Sequence, residues 1–199
     1  MKMAKIGQLD ITTRQVTLQG FTPIMFDRYP GDNKTVLPVE KKFYFMPDGA
    51  SLCLPASNIV SFLSATNTNS AAKLAGGRGY KTLANALLSF VVIEPAQIPL
   101  TRNGEPVRLY GFTDDRDERG GIYVDRRVAR MLKSGMAVPN AKERPVVELP
   151  WELSFSFRMF KNDTFDEELL KTIFTRGGIA LGLGTFRGVF GKFLISRWE

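Results

Sequence analysis

No histidine occurs in this 199-residue sequence, and cysteine occurs once, at Cys53. Without imidazole the chain lacks the commonest general acid/base, the commonest zinc ligand and every triad built on that ring. A single cysteine excludes an internal disulfide and, with no histidine beside it, a structural zinc site. Cys53 lies in the apolar run "SLCLP" and is expected to be a small buried hydrophobe. Long apolar runs are also missing: none approaches the ~20 residues of a spanning helix. The basic start "MKMAKIGQLDITT" is not followed by the apolar stretch of a secretory signal. No repeat, low-complexity tract or dividing linker is evident. The expectation is a protein of the cytoplasm with no cofactor, no metal and no membrane partner. Any catalysis would need carboxylates, lysine or tyrosine.

What is present is charge and a core. Hydrophobic residues make up 44% of the chain, enough for a globular fold. Lysine and arginine outnumber the acids 27 to 20, a net charge of +7 that favours polyanionic partners. The length fits one domain, with insertions expected at about residues 22–50 and 98–146.

Residues 8–21 alternate around Ile11, Val16 and Leu18 as an opening strand. The segment 27–42 is a loop by its Pro, Gly, Asp and Asn content. Residues 42–57 form a hairpin turning at Pro47-Asp48-Gly49, and a helix opens at Pro55 or Ser57. The "GGRGYKT" stretch (76–82) is expected as a loop, 83–90 as helix and "FVVIEP" (90–95) as a buried strand. A strand is expected over 121–131, inside a basic segment that ends in a proline-bearing loop. In 151–160, Trp151, Leu153, Phe155, Phe157 and Met159 alternate with polar residues, a half-buried strand. Residues 162–178 carry a helix with Thr164 and Glu167 as a capping box and Gly177 as its end. A closing strand follows at 191–198. Strand-helix-strand occurs twice, so the expected fold is α+β: a ferredoxin-like or RRM-like core, helices on one face of an antiparallel sheet.

The densest signal is "GGIALGLGTFRGVFGKF" (177–193), with six glycines. A Walker A loop is excluded: Phe186 stands where its first glycine belongs, and Phe193 follows Gly191-Lys192. A dinucleotide fingerprint fails because Arg187 occupies the third glycine position and the stretch follows a helix. "GGRGYKT" fails as a phosphate loop as well, since Tyr80 precedes Lys81. Two readings stand. Glycines can simply permit a tight helix-to-strand connection. Alternatively Gly182, Gly184 and Gly188 leave amides open as an anion-binding concavity, with Arg187 and Lys192 adding charge.

The run Gly182-Leu183-Gly184-Thr185-Phe186-Arg187-Gly188-Val189-Phe190-Gly191-Lys192-Phe193 resembles the C-terminal glycine-rich loop of the RAMP superfamily, the RNA-binding proteins of CRISPR systems. "SLCLPASNIVSFL" (51–63) is similar to the strand and helix start of the backbone subunits that coat guide RNA, with Ala56 and Val60 in place of that motif's glycine and lysine. The resemblance implies that Ser57 and Asn58 face the RNA backbone and that copies line up along a strand as an oligomer or filament. The chain also looks like small phage and prophage proteins with a similar ending, which implies a virus- or mobile-element-encoded relative in a bacterial host cell.

Further candidates are basic. Arg126, Arg127, Arg130 and Lys133, with Lys142 and Arg144, form the densest cationic segment, and Arg78 and Lys81 form a smaller one. Their readings are a solvated surface or a track for a single strand, with Tyr80, Tyr110 and Tyr123 as stacking candidates. Asp114, Asp115, Asp117 and Glu118 interleave with Arg116 and Arg119, which fits a salt-bridged turn better than a metal site. Asp27 matches by location an acid that assists RNA cleavage in some RAMP backbone subunits. The sequence therefore points to a non-enzymatic binder of single-stranded RNA or DNA. Its alternatives are a guide-processing ribonuclease without histidine, or a phage structural or anti-defence protein acting on phage or host defence proteins.

Overall fold

The computed structural model describes residues 10–32, 34–133 and 136–199, and the side chains of residues 129–140 lie outside that description. The chain runs through β1 (Ile11–Gly20), β2 (Ile24–Met25), β3 (Tyr44–Phe45) and β4 (Leu52–Pro55) into α1 (Ala56–Ser64), α2 (Ala71–Gly76) and α3 (Tyr80–Phe90). Next come β5 (Val91–Glu94), β6 (Gln97–Arg102), β7 (Glu105–Pro106), β8 (Arg116–Asp117), β9 (Ile122–Lys133) and β10 (Met136–Val147). It finishes with β11 (Glu152–Phe160), α4 (Glu167–Ala180) and β12 (Phe193–Trp198).

β1 pairs with β12 on one side and β11 on the other, and β5 pairs with the far side of β11, all antiparallel. With α1–α3 between β1 and β5, and α4 between β11 and β12, this is a pair of interleaved split β-α-β units. The fold is α+β with a ferredoxin-like core. The sheet continues through β6, β4 and β3, while β2, β10, β9 and β8 make a second sheet.

Period-two patterning explains the core strands. Val16 lies opposite Phe155 and Leu18 opposite Leu153, all buried under the helices. Phe62 of α1 joins them to the closing half, its ring 5.8 Å from Phe174 and 5.5 Å from Phe193. Each such ring contributes about 1.5–3 kcal/mol by burial. The opposite sheet face carries Thr13, Gln15, Thr17, Gln19, Ser154 and Ser156, with Thr17 and Ser154 hydroxyls 2.9 Å apart. RRM domains stack bases on aromatics at the centre of this face. Here the centre is hydroxyl and amide, so the RRM likeness is one of topology.

Several local expectations are corrected. Thr164 and Glu167 do not form a capping box: Asn162 Oδ1 accepts from the amides of Thr164 and Phe165, which delays the helix. Asp166 is the cap, its Oδ1 accepting from Leu169 N at 2.8 Å. Nor does Gly177 end α4, which continues to Ala180. A Cβ on Gly177 would lie 2.6 Å from Phe62 Cζ, and one on Gly178 2.6 Å from Phe193 O, so these glycines permit close helix packing. The 76–82 stretch is not a loop; it ends α2, makes a 3-10 turn and starts α3. β5 is half-buried, with Val91 and Ile93 inward and Val92 and Glu94 exposed. The proline-bearing segment after β9 is itself strand β10, paired with β9 along its length. Pro145 is tolerated because its carbonyl, and hence its missing N–H, faces Phe26 rather than β9. Pro139, six residues earlier, shares that edge. Each ribbon strand has 12 residues, so the β9–β10 ribbon is about 40 Å long.

Candidate nucleic-acid interface

The glycine stretch joins α4 to β12 and sits on the base of the ribbon, where Met25, Val146 and Phe190 form a small apolar cluster with Tyr123. Its backbone is stitched down: Leu183 N donates to Gly191 O at 2.9 Å, Thr185 N to Met25 O at 2.9 Å and Gly191 N to Pro23 O at 2.7 Å. The amides of Gly182, Gly184 and Gly188 are not open to an anion as expected. They donate to Gly177 O, Asn58 Oδ1 and Leu181 O at 3.1, 3.0 and 2.6 Å. The glycines serve shape instead. Gly184 has a φ of +76°, and a Cβ there would lie 2.4 Å from Met25 O.

Arg187 is the exception to this internal satisfaction. Its guanidinium is half-buried against α1, where Nη2 donates to Ser61 Oγ at 3.3 Å. Nη1 is buried with no partner, and no carboxylate pairs with Arg187 among the described residues. Burial pushes its pKa down from the ordinary arginine value. A buried donor left unmade costs about 1–3 kcal/mol. Lys192, half-buried, spends its amide on Thr22 Oγ1 at 2.9 Å and has no ion pair among the described residues.

The ribbon cations differ. Arg126 lies opposite Glu143 in the register, pairs with it at 2.9 Å and also pairs with Asp115. Arg127 is bidentate to Asp125 and lies over the rings of Phe186 and Phe190, 4.7 and 5.1 Å from their centroids. Both arginines of this pair are thus ion-paired, Arg126 with Glu143 across the ribbon and with Asp115, and Arg127 with Asp125 on its own strand. Arg130 and Lys133 have side chains outside the described residues.

A groove opens beside the glycine stretch. A cavity of about 130 Å³ touches Phe26, Asp27, Tyr44, Asn58, Gly184 and Thr185. A second, of about 380 Å³, shares Asp27 and adds Arg28, Tyr29, Lys42 and Lys142. Lys42 is only 8% exposed and donates Nζ to Glu143 O. Asp27 is held by Arg144 Nε at 2.7 Å, while Nη1 of that arginine is buried without a partner. Sequence reasoning named Arg144 and Lys142 without choosing them and passed over Arg28 and Lys42. Only the fold brings Arg28 and Lys42 beside β10.

Asn58 enters the groove through Oδ1, which fixes Gly184, and Ser57 is exposed in the first turn of α1, where no side chain caps the helix. Arg78 and Lys81 are exposed on the turn after α2 and the start of α3. No contact links them to the glycine stretch among the described residues. The tyrosines are engaged: Tyr80 under Lys73, Tyr110 under Arg119 at 3.9 Å, and Tyr123 in the small cluster. Asp117 is buried and accepts from the amides of Tyr110 and Gly120, so its role is structural. Among the described residues no group of three acids or cysteines is placed to hold a metal ion, and no helix is long and apolar enough to cross a membrane.

No family model matches the chain, and no curated protein matches it. Among solved structures, it is similar to a chain in the cryo-EM structure of the Type III-B Cmr-beta bound to cognate target RNA. The TM-score is 0.53 at 15% identity, over 95% of this chain and 60% of that one. The protein thus spans about 60% of the length of its structural neighbour. At that identity the likeness concerns the fold alone: the α+β, ferredoxin-like architecture is shared with a chain of that structure.

Proposed function

We propose that the protein is a non-enzymatic binder of single-stranded nucleic acid, RNA before DNA, that grips the sugar-phosphate backbone. The observation that carries this reading is Arg187, a half-buried cation with an orphaned Nη1 and, among the described residues, no carboxylate partner. A phosphate oxygen is the acceptor that a guanidinium in this state lacks. Lys192, the first turn of α1 at Ser57 and Asn58, and the Arg28, Lys42 and Lys142 groove extend the path. Arg130 and Lys133 on the ribbon, and Arg78 and Lys81 on the helical side, supply outlying charge, while Arg126 and Arg127 keep their acid partners. Such contacts position a strand without reading its bases, so sequence preference is weak. Copies associate along the strand as an oligomer, in the cytoplasm of a bacterial host. Phage or mobile-element encoding follows from the sequence resemblance.

The guide-processing ribonuclease alternative is disfavoured by the absence of histidine, the residue many such enzymes use as general acid/base. Freshly purified protein is expected to carry nucleic acid, read as a raised 260-to-280 nm absorbance ratio. After stripping, it is expected to retard labelled single-stranded RNA at low salt. Absence of both effects overturns the proposal. A single discrete cut in a labelled hairpin RNA would favour the ribonuclease. Co-purification with a protein and no nucleic acid would favour a phage or host defence partner.

A further inference from the structure

Phe186 is a partly exposed aromatic ring in the middle of the glycine stretch. It has a φ of 53°, a conformation that glycine adopts freely and other residues avoid. The residue is 43% exposed and belongs to neither apolar cluster. Yet it is held rather than loose. Arg127 lies 4.7 Å from its centroid and is itself fixed by Asp125, and Phe190 stands 6.2 Å away at 58°.

The next residue points elsewhere: Arg187 reaches α1 and Ser61, while Phe186 reaches the ribbon. Consecutive Cα atoms are about 3.8 Å apart. Adjacent residues therefore diverge from one point, one ending in a guanidinium whose Nη1 lacks an acceptor and the other in a flat apolar surface. That pairing matches a nucleotide, which carries an anionic group and a flat base on one sugar. We propose that Phe186, backed by Arg127, is a stacking platform for an unpaired nucleobase whose nucleotide is held by Arg187. This rests on the nucleic-acid reading above and adds to it a subsite for a base. A single ring matches the size of a base. A whole aromatic side chain offers about 150–250 Å², whereas a stable protein interface takes about 800 Å² from each partner.

The test uses an unstructured RNA strand, the same strand with abasic residues, and the RNA as a duplex. Abasic substitution keeps every phosphate and removes only the stacking surface. The protein is expected to prefer the base-bearing strand by roughly 5- to 150-fold per stacked base, and to bind the duplex no better than the abasic strand. Phe186→Ala should abolish most of that preference and leave abasic affinity unchanged. Phe186→Gly, which suits the backbone angle, should do the same and controls for loop distortion. Equal binding of base-bearing and abasic strands overturns the platform while leaving the backbone-binding reading intact. So does a preference that survives both substitutions, or an altered oligomeric state with the preference kept, which would mark Phe186 as a protein contact. Failure to bind either strand overturns both proposals.

Discussion

Arg187→Met separates a functional cation from a structural one, because the two roles predict opposite changes in stability. Methionine keeps an unbranched stem and removes the charge. The folded protein leaves Nη1 buried without an acceptor, at about 1–3 kcal/mol. The compensation lost is one long hydrogen bond to Ser61 Oγ at 3.3 Å, about 0.5–1.5 kcal/mol. The difference is a net stabilisation of about 1 kcal/mol, which in a chain of this size raises Tm by about 2–4 °C. Binding should move the other way. A charge-assisted hydrogen bond contributes about 1.5–3 kcal/mol, so affinity for single-stranded RNA should fall roughly 10- to 150-fold. Scanning calorimetry without RNA and fluorescence polarisation with it read the two effects separately. A variant that melts lower and binds as well as the parent would refute the reasoning, since Arg187 would then be a structural residue.

Other consequences concern the frame that holds the site. Glu167 has its pKa lowered by Arg14, with a smaller contribution from Trp198 Nε1. Its stabilising effect is therefore present above the ordinary glutamate range and lost as pH falls through the lowered value. The gap in Tm between the parent and Glu167→Gln should close in that acid window, and a gap independent of pH would contradict the pairing. Asp166→Ala should cost about 1 kcal/mol in urea unfolding, while Thr164→Ala costs little; the reverse order would restore the capping box. Gly177→Ala should destabilise by about 1–3 kcal/mol through overpacking against Phe62, although alanine is the better helix former. A neutral result would mean that α1 and α4 do not approach as closely as described.

The parts of the fold that are local in sequence were legible there. Alternation in 151–160 and 191–198 places β11 and β12, and the Pro47-Asp48-Gly49 turn places the β3–β4 hairpin. The start of α4 was misplaced because two capping chemistries compete within five residues, and Asn162 takes amides that Thr164 would otherwise have served. β10 is hidden in the sequence by prolines, which signal loops except where the missing N–H faces away from the strand's ladder partner, as at Pro145. Arg187 stands out in the sequence by its place among glycines, but that it has no carboxylate partner among the described residues is a tertiary fact. The neutralisation of Arg126 depends on Glu143 lying opposite it across the ribbon, a register that composition does not carry. Phe186 was passed over in favour of three tyrosines.

The central claim is that a phosphate chain completes this surface, and its most direct measurement is equilibrium binding of single-stranded RNA across a salt series, for the parent and Arg187→Met in parallel. The parent should bind at about 50 mM salt and weaken steeply toward about 200 mM as counterions are released. The slope of log K against log salt for the variant should be shallower by about 0.7, one phosphate contact on a single strand. Absence of binding at low salt, or superimposable slopes for the two proteins, would contradict the account.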